Sequence, residues 1–483
     1  MKNFIEFFSA NAPVIIKFTD NSGYKPTDSV MHYLLTQEKA EQKPRSEQNC
    51  EQRSIVILAQ PWNNKFRYYT VDADNTLLSF LDGKWLITPQ DFKDSDHPIQ
   101  CALKESEASQ CLTCIPNILM SMLEIYKDFI DPSEDEMRDY IDENICQCTD
   151  FDTLLSTLSG CCKGEPDIFS QKENMVMNWL NNYLSDSFSA YNYHRPLTIE
   201  EALKTYRHSD STVAYSPIGV ARKVEKSAKD IAQVIDLSAI EELQSITLEN
   251  DGTLICGTAV SVEDLRRKIN RLHPPLCKYL RQYGSHQECN IGALAENIST
   301  GSSFDYFIPA LEAYNVKIKS ASECDDGKVE HRTIPLENFY KNVAHPILKS
   351  KEIITSFVIP NVDENTYIKL YNETVVLHGE TSPVSLGIRV TLENGPFGND
   401  VKAIKIFVQG LELVSIRASK TEKFIIGKDL NDLANLTANE FLPYMKKDFS
   451  EGNKIHNERI KLAANIIELF FKELNRNAFI RHY

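Results

Sequence analysis

Cys111, Cys114, Cys146 and Cys148 form one pattern, C-x2-C-x31-C-x-C, and it constrains this chain more than any other feature. Cysteines three apart can turn both sulfurs toward one ion, and the second pair does the same from the start of another element. Thiolates are soft, anionic ligands suited to iron–sulfur clusters and to zinc. The paired spacing favours a [2Fe-2S] cluster held by four thiolates. A structural zinc site takes the same ligand count. Four unrelated buried thiols form a third reading, since cysteine is commonly buried, and the pairing argues against it. The adjacent Cys161 and Cys162 cannot readily share one ion and read as packing. Cys50, Cys101, Cys256, Cys277, Cys289 and Cys324 each read as a small core residue.

Twelve cysteines in a chain without a secretory signature point to a reducing, cytoplasmic setting. Lys2, a short apolar stretch and Ala10-Asn11-Ala12 only faintly resemble a signal peptide, and Glu6 interrupts the stretch. The expectation is a mature start at this end. At roughly 150 residues per domain, 483 residues suggest about three domains. Charged residues at 25% and hydrophobic residues at 42% are globular composition. A net charge of −16 repels phosphate backbones and anionic lipid, so no nucleic-acid partner is expected. No run of 18 apolar residues occurs, so no membrane span is expected.

Short β-branched runs at 14–18 and 54–58, with 66–71 and 85–88, predict a small sheet, and 29–35 a short helix. Helical character follows from Pro98 to Leu158, including Ile115–Tyr126 and a second helix opened by the Ser133/Glu136 capping box. Residues 166–192 read as a linker. Thr198 and Glu201 open another helix, and mixed strands and helices run on to about 355. Longer strands follow Pro360, and an amphipathic helix is expected over 457–474.

The words His97-Pro98-Ile99-Gln100, Gln110-Cys111-Leu112-Thr113-Cys114-Ile115-Pro116 and Asn144-Ile145-Cys146-Gln147-Cys148-Thr149 resemble the second cluster domain of the molybdenum hydroxylases. More closely, the chain resembles the small iron–sulfur/FAD subunit of two-subunit bacterial xanthine dehydrogenases. Leu112 and Asn117 replace two of that family's glycines without removing a ligand. The resemblance implies an α+β multidomain fold. Its parts are a ferredoxin-like β-grasp domain (1–90), a helical [2Fe-2S] domain (91–165), the linker (166–192), an FAD-binding-type domain (193–358) and a C-terminal α+β domain (359–483).

The first domain of that family holds another cluster through C-x4-C-x2-C and a distant fourth cysteine. Here Cys50 alone remains, with Arg45 and Arg53 at ligand positions, so this domain is expected to carry no cluster. The flavin domain is matched by Arg195-Pro196-Leu197-Thr198, Val234-Ile235-Asp236-Leu237-Ser238, Gly257-Thr258-Ala259-Val260 and Asn290-Ile291-Gly292-Ala293-Leu294. Its first flavin loop becomes Val213-Ala214-Tyr215-Ser216-Pro217-Ile218-Gly219, keeping Gly219. Its second becomes Leu294-Ala295-Glu296-Asn297-Ile298-Ser299-Thr300-Gly301-Ser302-Ser303, keeping Asn297, Thr300, Gly301 and Ser302, with Asp305 nearby. These six residues are the candidate FAD contacts. Pro217 lacks an N–H, and Glu296 puts negative charge where a glycine usually stands, so weak or absent flavin binding is expected.

Residues 366–475 resemble the domain that follows. The strand Tyr371-Asn372-Glu373-Thr374-Val375-Val376 lacks the family's basic residues, which argues against an ordinary nicotinamide site. The resemblance implies an electron-transfer subunit with a large molybdenum-cofactor-binding partner and NAD or another electron acceptor. The contrasting reading is a non-catalytic structural or regulatory assembly subunit, with the four cysteines as a metal staple.

Overall fold

The computed structural model describes residues 14–16, 54–59, 67–72, 78–92, 95–106, 114–129, 132–141, 151–161, 167–181, 188–190, 193–209, 211–220, 233–300, 306–341, 345–377, 380–394, 399–449, 452 and 454–480. They fall into two units. One holds residues up to 245 with 259–264 and 283–293, and the other holds 246–258, 265–282 and 294 onward.

In the first unit, Val14–Ile16 (β1), Ser54–Ala59 (β2), Arg67–Asp72 (β3) and Lys84–Ile87 (β4) make an antiparallel sheet ordered β1-β4-β2-β3. The helix expected at 29–35 lies outside the described residues. Five helices follow: Pro98–Glu105 (α1), Ile115–Asp128 (α2), Glu134–Ile141 (α3), Phe151–Cys161 (α4) and Ser170–Asn181 (α5). Prolines sit in the first turns of α1 and α2, where a missing N–H costs nothing. Ser133 and Glu136 bond reciprocally ahead of α3, as the sequence predicts.

Sheet and helices share a single core. Tyr68, Trp85 and Ile87 from the strands are buried with Phe92, Ile118, Met122, Leu154 and Leu158. The resemblance implies two domains here, and their buried residues meet in this one core. The stretch 166–192, read as a linker, instead contains α5 and the strand Phe188–Ala190 (β5). Val176 and Leu180 of α5 enter that same core. They lie one helical turn apart, but Met175, Met177 and Trp179 beside them add apolar positions off that face and blur the period.

β5, Tyr193–Arg195 (β6), Thr212–Ala214 (β7) and Val234–Asp236 (β8) form a mixed sheet ordered β5-β6-β8-β7. Thr198 caps Ile199–Arg207 (α6) through the Glu201 N–H, while the Glu201 carboxylate accepts from Leu197 N at 2.9 Å. The helix His286–Ile291 (α7) opens with a Ser285/Glu288 capping box.

The second unit contains a five-stranded antiparallel sheet. Ile246–Leu248 (β9), Leu254–Gly257 (β10), Lys317–Glu323 (β11), Val329–Pro335 (β12) and Glu352–Ile359 (β13) take the order β12-β11-β13-β10-β9. Leu294–Thr300 (α8) and Phe307–Ala313 (α9) precede β11 in the chain. The long strands expected after Pro360 are Thr366–Leu377 (β14), Glu380–Asn394 (β15) and Asn399–Gln409 (β16), joined at the edge by Ile416–Arg417 (β17). Gly387 of β15 faces the Pro309 carbonyl of α9 so closely that a Cβ would collide with it. Helices Ser419–Ile425 (α10), Leu430–Asn435 (α11), Ala438–Asp448 (α12) and Lys454–Ile480 (α13) complete the fold. Val384, Ile388 and Ile406 share their core with Phe441, Ile467 and Phe471. No described helix is long and apolar enough to cross a membrane.

Candidate iron–sulfur and flavin sites

Cys114 is the residue before α2 and is 3% exposed. Its carbonyl accepts the Ile118 N–H at 2.9 Å, while its side chain makes no capping bond to the helix. Cys114 thus places a buried sulfur at the opening of α2, the ligand type an iron–sulfur cluster takes. Cys111, Cys146 and Cys148 lie outside the described residues. So do Cys50 and Cys162. Cys161, Cys256, Cys277 and Cys289 are buried as expected, whereas Cys101 and Cys324 are only half-buried, a departure from the core reading.

The same helix carries a polar cluster that the sequence reading missed. Glu124 is fully buried on α2. Its Oε1 lies 2.9 Å from His286 Nε2 on α7 and 3.5 Å from the Arg67 guanidinium on β3. Its Oε2 accepts the Thr70 N–H at 2.7 Å. Burial alone would raise its pKa, yet His286, Arg67 and the Thr70 bond hold it at about 2. Arg67 also meets Asp264 at 2.7 Å and bonds Asn290, whose amide donates to Thr70 O at 2.8 Å. The His286 ring stacks on Tyr140 of α3, with centroids 3.7 Å apart. Asn290 belongs to the Asn290-Ile291-Gly292 word, so flavin-domain sequence and the helix that opens at Cys114 are tied by charge. A signal was present in the sequence: one glutamate inside the apolar run from Ile118 to Tyr126 must be buried, and must therefore find a cation.

A second cluster lies where the His97-Pro98-Ile99-Gln100 word begins. His97 is fully buried, and its Nδ1 accepts the Ile99 N–H at 3.3 Å, capping α1. Asp167 takes Lys127 at 2.8 Å, and Lys127 also meets Glu173 at 2.6 Å. Burial opposes the charge of Asp167, but His97 and Lys127 win and hold its carboxyl well below the usual carboxylate range.

The flavin-type loops are built differently. Ser216 Oγ accepts the Gly219 N–H at 3.2 Å, and the Ser216 carbonyl accepts the Val220 N–H at 3.0 Å. Pro217, between them, has no N–H to offer a ligand. In the second loop, Leu294–Thr300 is helical, Glu296 in its first turn is buried and Asn297 is half-buried. Thr300 ends that helix, and Gly301, Ser302 and Asp305 lie outside the described residues.

Residues 88–158 match the [2Fe-2S] binding domain, and residues 187–362 match the FAD binding domain in molybdopterin dehydrogenase. The chain therefore carries a [2Fe-2S] binding domain and an FAD binding domain of the molybdopterin dehydrogenase type, and the matches support [2Fe-2S] and FAD as the cofactors of those domains. It is 22% identical to the xanthine dehydrogenase of Emericella nidulans over 446 residues, covering 79% of this chain and 32% of that protein. Aldehyde oxidase 1 of Rattus norvegicus is also 22% identical, covering 78% of this chain and 32% of its own length. Quinoline 2-oxidoreductase from Pseudomonas putida 86 is a similar solved structure, at 18% identity and a TM-score of 0.48, covering 61% of this chain and 99% of that one. The chain spans about a third of the length of the curated relatives it matches.

Proposed function

We propose that this chain is an electron-transfer subunit of a xanthine dehydrogenase-like molybdenum hydroxylase, working beside a large molybdenum-cofactor-binding subunit. The observation that carries the reading is Cys114, buried at the opening of α2 inside a [2Fe-2S]-type domain. Cys111, Cys114, Cys146 and Cys148 would hold one cluster, which when bound supplies one-electron transfer. The chain's own contribution is to place the Cys114 sulfur at the opening of α2 and to seat that helix through Glu124. Cys50 alone cannot hold a cluster in the N-terminal domain. Flavin binds weakly, because the Gly219 N–H is taken by Ser216 and Glu296 stands in the second loop. Gly219, Asn297, Thr300, Gly301, Ser302 and Asp305 remain the candidate FAD contacts.

Anaerobic purification with iron, sulfide and zinc analysis tests this. The expected result is about two irons and two sulfides per chain with a visible iron–sulfur spectrum. The first flavin loop, with its Gly219 N–H taken by Ser216, favours one second reading, a structural assembly subunit whose cysteines hold zinc. A colourless protein carrying zinc and no molybdenum-containing companion would put that reading ahead.

A further inference from the structure

Helices α1 and α4 border a groove of about 550 Å³ whose lining includes Pro98, Cys101, Ala102, Thr157, Gly160 and Cys161. The Cys161 thiol donates to Thr157 O at 3.0 Å and reaches Pro98 O at 3.9 Å, so its sulfur lies against the first turn of α1. Pro98, Cys101 and Ala102 fall at positions i, i+3 and i+4, which share one helix face. Cys101 therefore stands one turn further along the wall that Cys161 touches. Most residues lining the groove are small, with Glu105 also at its wall, and Gly160 leaves open space beside Cys161 in the chain. A disulfide needs close backbones, and small residues at a helix contact permit them. Cys161 is buried and Cys101 is half-buried, so one thiol is accessible and the other sheltered. Among the described residues no group of three or more His, Cys, Asp or Glu side chains could hold a metal ion, which leaves thiol chemistry for this groove.

We propose that Cys101 and Cys161 are an oxidisable pair that closes as a disulfide across the groove. The oxidant is a low-molecular-weight disulfide such as oxidised glutathione. The Cys101 thiolate attacks one of its sulfurs, the glutathione S–S bond breaks and one glutathione thiolate leaves. The Cys161 thiolate then attacks Cys101 Sγ, forming the internal bond and expelling the second glutathione. The protein pair gives up two electrons and two protons, and the oxidant becomes two thiols. The link would tie two helices that lead directly to the cysteine pattern: α1 ends at Glu105, six residues before Cys111, and α4 begins at Phe151, three after Cys148. Oxidation would thus staple the frame of the cluster domain. This inference rests on the helical fold and stands whatever metal the four cysteines bind.

The test is peptide mapping of the unsubstituted full chain after exposure to oxidised glutathione and alkylation of the remaining thiols. The expected result is a dominant peptide joining Cys101 to Cys161. In the Cys101→Ser chain, Cys161 should stay alkylatable after denaturation. The proposal is overturned if Cys101 keeps a glutathione while Cys161 alkylates, if either sulfur pairs with another cysteine such as Cys162 or Cys111, or if both remain thiols.

Discussion

Two buried glutamates, Glu124 on α2 and Glu312 on α9, are met by their surroundings in different ways. Glu124 meets an arginine, a histidine and a backbone N–H, and stays ionised with its pKa held at about 2. Glu312 on α9 is as deeply buried, but its described hydrogen-bond donor is the Ser415 hydroxyl, and burial pushes it up to about 8. Lys405, the nearby cation, is engaged at 2.8 Å by Glu337. The first flavin loop repeats the pattern, with the Ser216 hydroxyl meeting the Gly219 N–H. Around α2, charge is compensated by charge brought from distant sequence, and the helix that opens at Cys114 is fixed. Around Glu312, by contrast, the described partner is a neutral hydroxyl.

The largest effect should come from the residue at the head of α2. Cys114→Ser removes one of four thiolates, and the expected outcome is loss of most iron, sulfide and visible absorption from the anaerobically purified chain. An unchanged spectrum would place the cluster elsewhere and dissolve the contrast between the regions. Next is Glu124→Ala. It leaves His286 and Arg67 buried without their shared carboxylate, and breaking such a group by removing one partner costs about 3–5 kcal/mol. Urea unfolding followed by circular dichroism measures it, and a loss under about 1 kcal/mol would show that the compensation contributes little.

The flavin side can be sharpened by restoring its glycines. Ala295→Gly with Glu296→Gly removes the buried negative charge from the second loop. FAD affinity, followed by flavin fluorescence quenching, should rise by about tenfold, equivalent to about 1.4 kcal/mol. No gain would mean that the loop charge is not what weakens binding. Stoichiometric FAD surviving gel filtration of the unsubstituted chain would mean that the altered loops still hold flavin.

Local chemistry was readable from the sequence where it completes itself within a few residues. The Ser133/Glu136 box, the Thr198 cap and the three strands after Pro360 depend on near neighbours, and the structure has them. Strand periodicity also survives in β2 and β3, whose register sets Ile57 against Tyr69. What escaped was long-range. Glu124 and His286 are 162 positions apart, and no window shows them as partners. The common core of the N-terminal sheet and the cluster helices is hidden for the same reason, because Tyr68 and Leu154 each look like the interior of their own segment. Helix α5 was obscured because its apolar residues, Met175 to Leu180, include exposed Met175 beside core-facing Val176 and Leu180 and so do not trace one face. At the site, the cysteine spacing pointed to Cys114, but only the structure shows its sulfur left out of helix capping.

The smallest effect at neutral pH should come from Glu312, and it separates the two glutamates most cleanly. With a folded pKa of about 8 against an ordinary 4.5, Glu312 is mostly protonated at pH 7, so Glu312→Gln replaces one neutral group by another of similar shape. Stability at pH 7 should change by about 1 kcal/mol or less. The pH dependence is where the substitution tells. Because the folded pKa is raised, the folded state binds more protons between pH 4.5 and about 8, and this group's contribution falls as pH rises through that window. Glu124 has the opposite sign. Its folded pKa of about 2 lies below 4.5, so its contribution is present above 4.5 and lost as pH falls toward 2. Urea midpoints measured from pH 5 to 8 should therefore decline less steeply in the Glu312→Gln chain than in the unsubstituted one. Identical slopes would mean that Glu312 is ionised in the fold, and that the flavin-type region compensates its buried charge as fully as α2 does.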